Sequence, residues 1–106
     1  MKVQLHPEAE EELYQGVAWY DDREAGLGDD LLAEVARWFD VIAESPATWP
    51  CWPRSPTVGV PIRRVVLDRF PYSIAYQTFP ARVWVVAISH WSKPPEYWMD
   101  RVEGAG

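Results

Sequence analysis

Apolar residues recur at helical spacing twice in the first half of the chain. Ala9, Leu13, Val17 and Tyr20 form one stripe. Leu32, Val35, Phe39 and Ile42 form a second, which Leu31, Trp38 and Ala43 widen. Pro7 suits the first position of a helix, where its missing N–H is not needed. Glu8, Glu10, Glu11 and Glu12 follow it and complement the positive end of the helix dipole, and Asp29 and Asp30 do the same for the second stripe. The first helix is expected to end near Arg23 or Glu24. The second runs from about Asp29 to Ser45-Pro46, because the residue before a proline is pushed out of helical geometry. Ala25-Gly26-Leu27-Gly28 alone separates the two, so they should form an antiparallel hairpin.

The pattern changes beyond Ile62. Ile62 to Asp68 reads as a strand. Tyr72 to Phe79 alternates large Tyr72, Ile74 and Tyr76 with smaller Ser73, Ala75 and Gln77, and Arg82 to His90 is rich in valine. Arg69-Phe70-Pro71 and Phe79-Pro80-Ala81 are short enough to be hairpin turns. Val3 to Leu5 is a candidate first strand, too brief for its pattern to decide. Between helices and strands, residues 46–61 hold Pro46, Pro50, Pro53, Pro56 and Pro61 and read as a loop, which Trp49 and Trp52 should tack onto the body. Neither side of that loop is large enough to stand alone. The expectation is one α+β domain over residues 1–106, an antiparallel meander packed on a helical hairpin.

Charge divides along the same line. Residues 1–53 carry twelve acids against three bases, whereas residues 54–106 carry seven bases against four acids. The net charge of −6 repels a polyanion at long range, yet a sheet face can still be locally basic. Seven tryptophans are many for 106 residues. They serve either a small core or a partner surface. The single cysteine, Cys51, excludes an intrachain disulfide and fits a reducing compartment. No apolar run approaches the ~18 residues that span a membrane, and no signal peptide is evident, so the chain reads as cytoplasmic.

The candidate chemistry is sparse. His6, His90 and Cys51 show no metal-ligand spacing, and there is no glycine-rich phosphate loop. His90 ends the last strand, on the same parity as Trp84, Val86 and Ile88. It suits a general acid or base near neutral pH, and equally a hydrogen bond that closes a loop. Arg63 and Arg64 are adjacent in a strand and must point to opposite faces, so one at most serves a given site. An arginine there can clamp a phosphate or form a salt bridge to the acidic helices. Tyr97-Trp98, after Pro94-Pro95, suits stacking on a base or a tail that clamps the core.

Three stretches, WYDDREAGLGDDLLAEV (19–35), IRRVVLDRFPYSIAYQ (62–77) and VWVVAISHWSKPPEYWMDR (83–101), give the chain a likeness to a known family. It resembles the RelE/ParE superfamily of type II toxin–antitoxin toxins, and within it the ParE-like, plasmid-stabilisation branch. The RFPY segment (69–72) and the series Ala87, His90, Lys93, Pro94, Tyr97 and Trp98 carry the match. The resemblance implies a β-α-α-β-β-β fold with the helical hairpin on one face of a twisted, mostly antiparallel sheet. It implies a toxin that poisons DNA gyrase without a cofactor and is neutralised by a cognate antitoxin, with Arg69, Tyr97 and Trp98 as contacts to antitoxin or target. The RelE-like alternative is a ribosome-dependent mRNA endonuclease, in which His90, Arg64 and Lys93 would take the catalytic parts. A third alternative is a binding module with the toxin fold and no toxicity. The surplus of tryptophans also permits a homodimer.

Overall fold

The computed structural model describes residues 1–53, 55 and 59–103. Strand β1 (Lys2–Leu5) leads into helix α1 (Pro7–Arg23), and helix α2 (Leu27–Glu44) returns against it. Strands β2 (Ile62–Val66), β3 (Tyr72–Phe79) and β4 (Arg82–His90) follow, and a short 3-10 turn at Met99–Arg101 lies near the end of a tail. The sheet order is β1-β4-β3-β2. β1 pairs with β4 in parallel, and the other pairs are antiparallel. This is the α+β arrangement the sequence predicts, with the brief Val3–Leu5 segment confirmed as an edge strand.

Each helix start has an identifiable cause. Pro7 opens α1, and the His6 Nδ1 accepts the Glu8 N–H at 3.0 Å. Gly26 takes φ 91° at the start of α2, a conformation that favours glycine. Gly28 lies inside α2 rather than in the connection. A Cβ there would sit 2.3 Å from the Val17 carbonyl oxygen, so the two helices approach to backbone contact. The Asp21 carboxylate then accepts the Gly28 N–H at 2.8 Å, and the first helix caps the second.

Ala9, Leu13, Leu31, Val35 and Ile42 of the helices are buried against Val65, Ile74, Tyr76, Val83, Val85 and Ile88 of the sheet. Leu32, expected in the apolar stripe, is 40 % exposed, and Leu31 holds the core position instead. The buried Glu34 of α2 accepts the backbone N–H of Asp68 at 2.5 Å and of Arg69 at 3.3 Å, which ties the β2–β3 turn to the helices.

The register slips in the middle of the sheet. Ala75 pairs with Ala87 and Tyr76 pairs with Val85, so Val86 is an extra residue in β4. Val86 and Ala87 therefore both join the small core on the far face, while Ile88 belongs to the helix side. The strict alternation expected along β4 fails here. Trp84 belongs with the far-face core, and His90 lies on the helix side, opposite Tyr72.

That far face is partly covered. Trp98 is fully buried there against Ile62, Ala75, Val86 and Ala87, and Trp52 meets it edge to face at 4.9 Å. Residues 50–52 of the proline-rich loop run along the outer edge of β2. The Trp52 N–H donates to the Ile62 carbonyl at 2.7 Å, and the Arg64 N–H donates to the Pro50 carbonyl at 2.9 Å. Trp49 lies on the helix side against Trp38. The two loop tryptophans thus hold the segment from both faces of the sheet.

The Gly28 contact yields a stability test. Gly28→Ala must part the helices and is expected to destabilise the protein by about 1–3 kcal/mol. A urea midpoint unchanged from the parent protein would contradict the close approach.

Candidate functional site

β4 ends at His90, and Trp91, Ser92 and Lys93 turn the chain into the tail. On the far face this end of the sheet carries a groove of about 330 Å³. Arg64 enters it from β2, Trp91 and Lys93 from the turn, and Trp52 from the loop. The Arg64 guanidinium carbon lies 5.1 Å from the Trp52 ring centre, and no described carboxylate forms an ion pair with Arg64. Trp91 is 59 % exposed, with its indole N–H donating to the Ser73 hydroxyl at 3.2 Å. No carboxylate is among the groove's described lining residues. The combination is a basic trough with two indole walls, which can hold a phosphate and stack a planar ring.

His90 stands at the rim. Its ring meets Tyr72 edge to face at 5.0 Å. Its Nδ1 accepts the Ser92 N–H at 3.0 Å and lies 2.7 Å from the Ser92 hydroxyl. A backbone N–H has only its proton to give, so this Nδ1 is bare and the neutral ring carries its proton on Nε2. His90 therefore closes the turn after β4 and keeps Nε2 for other contacts. Of the two roles the sequence offered, the loop-closing one is present, and it does not consume the second nitrogen.

The adjacent arginine pair divides as its parity requires. Arg64 serves the groove. Arg63 points to the helix side and donates to the Trp49 carbonyl at 2.7 Å. Arg69 lies on the β2–β3 turn, where it pairs with Asp30 at 3.5 Å and covers Phe70, away from Arg64. Tyr97 and Trp98 take the clamping role. Trp98 has no exposed surface in this fold, and the half-buried Tyr97 donates its hydroxyl to Glu12.

Glu12 is the residue that sequence reasoning did not single out. In a run of four glutamates it reads as one more charge for the helix dipole. In the fold its side chain is largely buried and accepts from three parts of the chain. These are the Ile88 N–H at 3.1 Å, the Tyr97 hydroxyl, and the Arg101 guanidinium at 3.0 and 3.2 Å. Burial works against the Arg101 charge, but the hydrogen bond and charge of Glu12, together with the charges of Tyr97 and Glu8, outweigh it and raise that group above its ordinary value. Burial first, and the bond to Glu12 second, push the Tyr97 phenol above its usual range. Burial likewise raises Tyr72, and lifts Tyr76 to about 12.

Two tests follow from this network. Glu12→Gln removes the buried negative charge facing Arg101, leaves it only the exposed Glu8 at 3.3 Å among the described ion pairs, and is expected to lose about 2–4 kcal/mol in urea unfolding. The tyrosines set an alkaline limit. Their neutral forms contribute stability that is fully present below the unfolded value near 10 and lost as pH rises through the folded values, about 12 for Tyr76. The urea midpoint should fall above pH 10, and Tyr97→Phe should fall less steeply. An identical slope in that variant would exclude Tyr97 as a contributor.

No family model matches the chain, and no curated protein matches it significantly. Among solved structures it is similar to a chain of the chromosomal ParDE TA system from P. aeruginosa. That likeness has a TM-score of 0.70 at 12 % identity and covers 85 % of this chain and 95 % of the other. With its helical hairpin and four-stranded mixed sheet, the chain has a ParE-like fold over that span.

Proposed function

We propose that this chain is the toxin member of a type II toxin–antitoxin pair of the ParE kind. In this reading it works in the cytoplasm, binds and poisons DNA gyrase, and is held inactive by a cognate antitoxin. The observation that carries the reading is the likeness in fold, over most of both chains, to a chain of a ParDE system. Its surface supports an interaction protein. Tyr14, Trp19 and Leu32 are exposed on the acidic helical hairpin, and such aromatic and apolar groups are what a partner buries. A homodimer through those groups is compatible with the same exposure.

One observation favours a second reading, the RelE-like endonuclease. Arg64, His90 and Lys93 line a single groove with Trp52 and Trp91. There Arg64 would hold a phosphate, the indoles would stack a base, and His90 would exchange a proton through Nε2.

Pulse labelling after induction of this chain alone in a bacterium separates the readings. Gyrase poisoning predicts early loss of DNA synthesis while translation continues, and His90→Ala should remain toxic. Early loss of protein synthesis, abolished by both Arg64→Ala and His90→Ala, would replace this reading with the ribonuclease. Harmless accumulation of folded protein would leave a binding module.

A further inference from the structure

A second cavity, of about 380 Å³, opens on the other side of His90, between α1 and the start of the tail. Its walls are Trp19, Tyr20, Tyr72 and Tyr97. Gly16 shapes it. A Cβ at that position would meet the Tyr72 hydroxyl at 2.8 Å and Leu31 at 3.1 Å, so the bare glycine lets Tyr72 lie flush against α1.

The outer wall is held in place although it is half exposed. The Arg23 guanidinium carbon sits 3.3 Å from the centre of the Trp19 ring, and Arg23 also donates to the Trp19 carbonyl at 3.2 Å. Tyr20 packs against the same indole edge to face at 4.9 Å. A pocket whose aromatic walls are fixed before binding loses little freedom when a ligand enters.

The charges in the cavity narrow the choice of ligand. Glu12 is already engaged by Ile88, Tyr97 and Arg101. Lys93 is the one lysine or arginine among the described lining residues, and no described carboxylate forms an ion pair with it. A cationic ligand would meet Lys93 and find one face of Trp19 taken by Arg23. A flat ring satisfies the walls, and a carboxylate satisfies the ammonium.

We propose that this cavity is a binding site for a small planar aromatic carboxylate, with its ring against Trp19, Tyr20 and Tyr72 and its charge on Lys93. The site does not depend on the toxin reading. It bears on the groove all the same, because His90 and Lys93 line both cavities. A ligand that holds Lys93 on the helix side withdraws a cation from the far face.

The test is an NMR titration of the full chain with indole-3-acetate and, separately, with neutral indole, read at the tryptophan Nε1–H resonances. The expected result is saturable movement centred on Trp19, with indole binding about tenfold more weakly for want of the charge-assisted contact. Lys93 is exposed, so Lys93→Met should keep the folded spectrum and reduce indole-3-acetate to the affinity of indole. Equal affinities for the two probes, an unchanged affinity in Lys93→Met, movement centred on Trp91, or no saturation would each overturn the proposal.

Discussion

The carboxylate of Glu12 closes a gap that the topology leaves open. β1 has four residues and pairs only with Arg82–Val85, whereas β4 continues to His90. Beyond Val85 that edge of β4 has no strand beside it among the described residues, and the bulge at Val86 disturbs it further. Bare backbone groups there would face loss of hydrogen bonding. Glu12 accepts the Ile88 N–H, and Arg101 reaches the Val86 carbonyl at 3.4 Å, so two side chains stand where a strand would. Because Glu12 also binds Tyr97 and Arg101, the same contact fixes the tail. The tail in turn buries Trp98 and carries Lys93 to the meeting point of both cavities.

The tail is pinned at its far end by a different device. Gln77, fully buried on β3, accepts the Glu103 N–H and donates to the Glu103 carbonyl, both at 2.9 Å. One amide side chain thus mimics a strand neighbour for one tail residue. Arg82 pairs with the Glu103 carboxylate beside it. Between Arg101 and Glu103 the chain is held by polar contacts, and between Tyr97 and Val102 by apolar ones. The far face of the sheet therefore has a closed half under the tail and an open half at the groove.

Helices and strands were legible because their periods survive in the sequence. Two apolar stripes, a proline at one helix start and valine-rich runs need no tertiary knowledge to be read. The bulge was not legible. Val83, Val85, Val86, Ala87 and Ile88 are all apolar and buried, so nothing in the alternation marks where the register slips. A parity count across that run places His90 with Trp84, on the wrong side. Gly28 misleads for a related reason. Beside Gly26 it looks like a connection residue, although its smallness answers to the Val17 carbonyl across the hairpin. Parity separated Arg63 from Arg64 because β2 has no irregularity, and the family resemblance singled out Arg64. Glu12 could not be distinguished from its glutamate neighbours, since its partners lie 76 to 89 residues away.

That separation has a consequence for how the molecule comes into being. The contact from Glu12 to Arg101 joins residues 89 apart in sequence, and β1 pairs with β4, which begins 77 residues after β1 ends. The helical hairpin can assemble early from local contacts, but the sheet edge cannot close until residue 101 has left the ribosome. Long-range pairing of this kind also slows folding. A chain not yet released past residue 101 lacks the contacts that close this sheet edge. The cavities on either side of His90 are among the last features to exist.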